Sequence, residues 1–315
     1  METGARQPLL DIAKGGAMTA AIMLVSLNLP LLGIGVGIIA PFPALYYDLK
    51  WGGVTVGAAI VALTLVFLAV AGGPAASLLY LFQAGIPAVA LAAFLSRGMA
   101  TSRAIAFTVL VTAVLVTIAA GGYSLVREVD PHGQFGVVIR ESMAQTLKLY
   151  EGRGISGEDL NLLKQGMEQV AALIGQIFPV LFLIGQSLVT GINVLLLRRV
   201  SDRLAVKIGS APFSRFRNPD WLVWGLIASG FVLLLDNAAI EAVALNVLVL
   251  SGFLYFVQGM AVVLHIFTAY AVPTFFRFFF YVLLVLQAYL VIAVALLGLF
   301  DLWGNFRRPR IHKNL

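Results

Sequence analysis

The sequence predicts an all-α fold, a polytopic transmembrane helical bundle of about eight spans, with nine as the alternative. Three observations carry this expectation. Of 315 residues, 60% are apolar and only 11% are charged, whereas a soluble domain carries about 25% charge. So few charges cannot cover a water-facing surface, and so apolar a chain does not stay disordered. The charges are also clustered, leaving charge-free windows at 15–47, 51–96, 104–126, 169–197, 221–235, 242–276 and 278–300. Finally, where a window is too long for one span of roughly 20 residues, glycine or proline interrupts it.

Taken in order, window 15–47 is broken at Pro30 and softened by Gly33, Gly35 and Gly37. It predicts two short helices, or a helix plus a re-entrant piece; backbone opened at membrane depth persists only where protein or a cavity covers it. The window is too long for a signal-peptide core and no small-residue cleavage site follows, so a retained N-terminus is expected. The Gly33–Gly37 run resembles a nucleotide loop only superficially, and helix packing is the better reading. Window 51–96 must hold two spans, with the turn at Gly72, Gly73 and Pro74, and window 104–126 holds one. Residues 127–168 carry five basic and seven acidic side chains and read as an extracytoplasmic helical hairpin. Its first arm is an amphipathic piece from Val137 to Tyr150. Gly152 and Gly154 form the break, and Ser156 with Asp159 resembles a capping box. The second arm runs through Leu163, Val170, Leu173 and Ile177 into the membrane, with a kink expected at Pro179. Window 221–235 is short for a crossing, which is why eight and nine spans both stand; 242–276 and 278–300 complete the bundle. The chain thus divides into N-terminal transmembrane helices (1–126), the hairpin (127–168) and C-terminal transmembrane helices (169–315) with a basic loop at 198–220.

Lys and Arg in short loops set orientation. Loop 198–220 carries Arg198, Arg199, Arg203, Lys207, Arg215 and Arg217, and the tail carries Arg307, Arg308, Arg310 and Lys313. Arg97 and Arg103 flank a further turn, and all three are expected in the cytoplasm, as is the N-terminus of an inner-membrane protein. The net charge of +6 is read as this orientation signal, not as a nucleic-acid face. Tyr46, Tyr47, Trp51, Trp221, Trp224 and Trp303 are placed like interfacial belts, and Arg277, inside a run of Phe, is expected to snorkel.

The absences exclude chemistry. There is no cysteine, hence no thiolate nucleophile and no cysteine-based metal site. No P-loop signature occurs. His132, His265 and His312 are isolated, and no acidic cluster suggests a two-metal site. No enzyme activity, cofactor or metal is expected. Polar groups inside the membrane are costly and therefore informative. Asn28, Gln83, Gln176, Gln186, Asn193, Asn246, Gln258 and His265 are the candidate ligand-binding residues, with interhelical hydrogen bonding as the plainer alternative. Gln258 and His265 share a helix face. Asp236 and Glu241 bracket the start of window 242–276 and read as interfacial, with a proton relay as the rival. Ala13, Ala17 and Ala21 form a small-residue ridge, and Gly53 with Gly57 a close-approach pair; such ridges let helices pack within the chain or dock a partner helix.

Several short motifs follow one another along the C-terminal part: Pro212-Phe213 and Arg217-Asn-Pro219-Asp-Trp221, then Tyr255-Phe-Val-Gln258-Gly259, then Gly298-Leu-Phe-Asp301-Leu-Trp303-Gly-Asn-Phe306-Arg307-Arg308. In these the chain resembles the YybS-like predicted bacterial membrane proteins, domain of unknown function 2232, over nearly its whole length. Residues 10–200 are also similar to the substrate-binding S components of energy-coupling-factor vitamin transporters. That resemblance implies a six-helix core with a central ligand cavity, extended here by extra C-terminal helices. It further implies that Ala13, Ala17 and Ala21 dock a transmembrane coupling subunit served by an ATPase. The expected function is small-molecule binding related to transport; the alternative is a structural scaffold or assembly factor of the bacterial envelope.

Overall fold

The computed structural model describes residues 2–127, 131–151, 157–206, 208–209, 212–235 and 237–307. Among them no strand occurs, and helices stop where the backbone cannot continue. α1 (Glu2–Asn28) ends before Pro30, whose ring pushes Leu29 out of the helical region to φ −120° and ψ 88°. α2 (Pro30–Gly37) is short, and α3 (Phe42–Trp51) closes on Gly52 in the left-handed conformation, φ 71°, which glycine adopts without steric cost. α4 (Thr55–Ala71) and α5 (Gly73–Tyr80) part at the expected Gly72-Gly73-Pro74 turn. A π-helical turn, Leu81–Gly85, joins α5 to α6 (Ile86–Ser96).

α7 (Thr101–Arg127) and α8 (Pro131–Glu151) follow. α9 (Glu158–Arg199) has 42 residues with Pro179 inside; at 1.5 Å per residue it is roughly 60 Å long, twice the bilayer core of about 30 Å. The expected amphipathic arm 137–150 lies within α8, whereas Gly152, Gly154 and Ser156 lie outside the described residues. The remaining helices are α10 (Leu222–Val232), α11 (Ala238–Ala269), α12 (Thr274–Leu286) and α13 (Ala288–Gly304).

Among the described residues five helices are long and apolar enough to cross a membrane, α12 with α13 form one bent pair, and α4 and α10 are shorter apolar helices. Together these make eight apolar segments, although α10, at 11 residues, is about 16 Å long and too short to cross alone. Window 278–300 differs from expectation. It contains no glycine or proline before Gly298, yet the chain turns by 110° at Gln287, which leaves the helical region at φ −123° and ψ 101°. Val70, Leu125, Phe231, Val285 and Phe278 stand exposed on these helices, as side chains facing lipid do.

The chain forms two compact units. One comprises the residues through Val138 with Phe182–Gly209; the other comprises Ile139–Leu181 and the described residues after Gly209. In the first, α1 packs on α2, α3 and α4, and α3 on α4 and α6. Its core holds Met23, Leu45, Leu49, Ile60, Leu91 and Leu197. In the second, α11 crosses α13 with backbones in contact. A Cβ on Gly259 would strike the Val294 carbonyl, and one on Gly298 the Tyr255 carbonyl. Helices in lipid gain little from hydrophobic burial against one another and rely on such close approach and on polar bonds. Arg277 does not extend outward. Its Nε donates to the Val272 carbonyl (2.8 Å) and its Nη2 to the Phe267 carbonyl (3.0 Å), where a cation suits the C-terminal end of α11.

Asn246 on α11 shows how a proline break is repaired. Its Oδ1 accepts the Val180 N–H (3.1 Å) and its Nδ2 donates to the Gln176 carbonyl (2.7 Å), the two ends of the helical turn that contains Pro179. Asn246→Leu is expected to lower stability by about 1 kcal/mol, the loss of one partly buried and one exposed hydrogen bond, read as a reduced thermal midpoint in detergent.

Candidate functional site

The same repair occurs twice in the first unit. In the π-helical turn bonds run from residue i to i−5, as the Ile86 N–H donates to the Leu81 carbonyl. The next donor in the series would be residue 87, a proline without an N–H, so the Phe82 carbonyl loses its partner. Gln186 on α9 supplies one, Nε2 to O at 3.1 Å. After α2, bonds run to i−3: Ile39 to Val36, Ala40 to Gly37 and Phe42 to Ile39. The missing member is Pro41 to Ile38. Asn193 on α9 fills it, its Nδ2 donating to the Ile38 carbonyl at 2.8 Å and to the Val189 carbonyl at 2.7 Å.

These bonds fix the orientation of both amides, because a flipped amide would set oxygen against oxygen. The nitrogens are thus committed, while Gln186 Oε1 and Asn193 Oδ1 are buried without a partner among the described residues. Gln186 is 6% exposed and Asn193 0%. Seven residues apart, they lie on one face of α9, about 10 Å apart along its axis. A buried unsatisfied carbonyl costs about 1–3 kcal/mol. The buried hydroxyls do not serve them: Thr19, Thr64, Thr108, Thr112 and Thr190 each donate to the carbonyl four residues back in their own helix. Nearby, Gln83 in the π-helical turn and Ser26 both face Gly37, whose missing Cβ leaves them room. Ser26 Oγ donates to the Gly33 carbonyl at 2.9 Å, so the Gly33–Gly37 run packs against α1. π-helical turns recur at functional sites. An arrangement of this kind offers acceptors, and suits a molecule that brings N–H or O–H donors.

The other candidates lie elsewhere. Asn28 donates to Leu24 in its own helix. Gln176 is exposed, and Asn246 holds its backbone. Gln258 has both amide ends occupied, and His265 is half-buried on the same helix. The eight candidates therefore do not form one site: Gln83, Gln186 and Asn193 share the first unit, and Gln176, Asn246, Gln258 and His265 belong to the second. Ala13, Ala17 and Ala21 are exposed along α1, whose buried stripe is Asp11, Gly15, Thr19 and Met23. Glu241 is exposed, and Asp236 lies outside the described residues.

The motif residues of the second unit converge on one buried polar cluster. Asp301, 2% exposed, is ion-paired with Arg307. It accepts Gln258 Nε2 (3.2 Å) and, through Oδ1, the Phe306 N–H (3.2 Å). Gln258 Oε1 accepts the Asn218 N–H (2.9 Å), and Asn218 Nδ2 donates to the Leu254 carbonyl (2.7 Å). Arg307 Nη1 reaches the Ser214 and Phe216 carbonyls at 3.0 and 2.7 Å. Gln258 Nε2, Asn218 N and Nδ2, and both Nη atoms of Arg307 each meet an acceptor, so the cluster is a clasp joining α11, α13 and the segment before α10.

One residue escaped the sequence reading. Asp48 appears there only as the charge that ends window 15–47, but it is 0% exposed. Its Oδ1 accepts the Gly57 N–H at 2.5 Å, and its Oδ2 has no partner. Burial pushes the carboxyl up to about 6, against the opposing effect of the Gly57 N–H. The signal that points to it is Gly57 itself, whose Cβ would collide with the Asp48 carboxyl and the Ala44 carbonyl; Gly53 meets no such neighbour. Next to Asp48, Lys50 Nζ pairs with Asp11 at 2.6 Å, and Trp51 Nε1 donates to the same oxygen at 3.1 Å. The Asp11 carboxylate holds the Lys50 ammonium above its ordinary value.

A family model described as predicted membrane protein (DUF2232) matches residues 17–302. No curated protein and no solved structure matches the chain.

Proposed function

We propose a function for this chain from one premise: it belongs to the DUF2232 family of predicted membrane proteins. The function is to bind a small molecule inside a multi-pass protein of the bacterial inner membrane and to support its transport. The N-terminus faces the cytoplasm, no reaction is catalysed, and a transmembrane coupling subunit with its ATPase supplies the energy. The exposed ridge of Ala13, Ala17 and Ala21 supports docking of that subunit.

One observation carries the reading: two buried amide oxygens, Gln186 Oε1 and Asn193 Oδ1, unpartnered on one face of α9. A bound molecule with N–H or O–H groups would offset the cost of leaving them unpaired. Both nitrogens are already used on backbone carbonyls, so the ligand is donor-rich and is not an anion.

Native mass spectrometry of the full-length protein, extracted in mild detergent, tests this. The wild type is expected to release a non-lipid small molecule, and Gln186→Met to retain about tenfold less of it, the equivalent of one lost hydrogen bond of about 1.4 kcal/mol. Equal yields, or none from the wild type, would reject the binding role.

A second reading, a scaffold or assembly factor of the bacterial envelope, is favoured by the clasp. Arg307 and Gln258 fix the segment around Ser214–Asn218, within the basic loop, to α11 and α13, as a rigid docking surface requires. Under this reading, no small molecule co-purifies and a protein partner is lost on Arg215→Glu.

A further inference from the structure

We propose that Asp48 is a proton-binding site, a buried carboxyl that takes up and releases one proton at the junction of α3 with α4. The inference does not depend on the small-molecule reading. It starts from the unequal surroundings of the two carboxylate oxygens. Oδ1 accepts the Gly57 N–H at 2.5 Å, and it can do so in either protonation state, because the carbonyl oxygen of a neutral carboxyl still accepts. Oδ2 is buried without a donor. Ionised, it is a charge with nothing to compensate it, which a low-dielectric interior penalises heavily. Protonated, it becomes an O–H donor, and the Ala44 carbonyl borders the same space, since a Cβ on Gly57 would meet both that oxygen and Asp48 Oδ2. The neutral form thus removes the uncompensated charge from Oδ2 and keeps the Gly57 bond at Oδ1.

Among the described residues, no cation acts on this carboxyl. α3 packs against α1, α4 and α6. α4 and α6 carry no titratable residue at all. α1 brings Asp11 and Lys14, but Asp11 is committed to Lys50 and Trp51, and neither Asp11 nor Lys14 acts on Asp48 electrostatically. On α3 itself, Lys50 lies over the Tyr47 and Trp51 rings, at 5.4 and 5.7 Å from their centroids, and Tyr46 stacks on Phe42. The segment bonded to Leu49 brings Arg203, which likewise does not act on Asp48, and a buried carboxyl with no cation acting on it binds protons more tightly than a surface one.

The site is placed where a proton would be felt. The Asp48 carbonyl accepts the N–H groups of Gly52 and Gly53, closing the turn into α4. The neighbouring Leu49 carbonyl accepts the Ala205 N–H at 3.0 Å, from the segment that follows α9, and Lys50 holds α1. Ionised Asp48 grips the N-terminal end of α4 with a charge-assisted bond that neutralisation weakens. Proton uptake therefore exchanges the charge-assisted bond to Gly57 for a neutral one at the α3–α4 turn, while the ties to α1 and to residue 205 stay in place.

Infrared difference spectroscopy on the full-length protein in lipid nanodiscs, titrated from pH 8 to pH 4.5, tests the proposal. The wild type is expected to gain the C=O band of a neutral, buried carboxyl with a midpoint near pH 6. Asp48→Asn, which keeps an acceptor for Gly57 and offers an N–H toward Ala44, is expected to fold and to lose that band. A midpoint near 4, where an exposed aspartate titrates, would overturn the proposal, as would an unchanged band in Asp48→Asn. Should that variant not fold, isotopic labelling of aspartate carboxyls in the wild type still decides: the band must shift with the label, and an unshifted band refutes the assignment.

The same proton sets a stability trend. The folded-state value lies above the unfolded one, about 6 against 3.8, so on acidification the folded protein binds the proton first. Asp48 therefore adds stability as pH falls from about 6 toward about 4 and withdraws it as pH rises. The thermal midpoint of the wild type, compared with that of Asp48→Asn, is expected to rise over this interval, and parallel curves would contradict the assignment.

Discussion

Asp301→Ala is expected to lower the stability of the folded protein by about 3–5 kcal/mol, the cost of removing one member of a buried ion pair. The large effect comes from what is left behind. The Arg307 guanidinium loses its counter-charge, while Gln258 Nε2 and the Phe306 N–H lose their acceptor. Gln258 then no longer holds the Asn218 N–H in register, and the segment before α10 comes away from α11. Arg307→Met is expected to be similarly severe, since it strands the carboxylate and frees the Ser214 and Phe216 carbonyls. Changing both residues together should cost less than the sum, because neither charge is then left alone. Thermal unfolding of the single and double variants in detergent, followed by tryptophan fluorescence, measures the coupling. Additive single effects would show that the pair does not act as a clasp.

Gly298→Ala is expected to destabilise by about 2 kcal/mol or more. Inside a helix this change ordinarily stabilises by roughly 0.5–1 kcal/mol, so a reversal of sign is the signature. The added methyl would meet the Tyr255 carbonyl and the Gly259 nitrogen, which are backbone atoms and cannot swing aside, so α13 must move off α11. Overpacking of this kind costs about 1–3 kcal/mol even where side chains can adjust. Gly252→Ala, on the same α11, is the control. No atom lies within 4 Å of its Cβ position, and it is expected to be neutral or stabilising. Equal effects at both positions would mean that the helices do not touch where we place them.

These two positions show what the amino-acid sequence makes legible. The motifs around Gln258, Gly259, Gly298, Asp301 and Arg307 stand out as short, ordered elements, and the helices that carry them follow from the charge-free windows. Their joint purpose depends on contacts such as that from Gln258 to Asp301, 43 residues apart, which no local pattern encodes. Likewise, the prolines at 41, 87 and 179 each remove a backbone N–H, but not one of them tells which amide takes its place. Asn193 reaches across 155 residues to Ile38, and Gln186 across 104 to Phe82. The bend at Gln287 has no breaker residue to signal it. Asp48 is hidden for the opposite reason: a charge at the end of an apolar window looks like an interfacial residue, and only the packing of α3 against α4 shows that it is enclosed.

The central claim is that Gln186 and Asn193 present acceptor oxygens to a bound molecule. An experimental density map of the protein purified in native lipid, at a resolution that separates side-chain amides, tests it most directly. Non-protein density is expected within hydrogen-bonding distance of Gln186 Oε1 and Asn193 Oδ1, with their nitrogens still on the Phe82 and Ile38 carbonyls. Density no larger than single waters at both oxygens, or amides turned to protein donors, would contradict it.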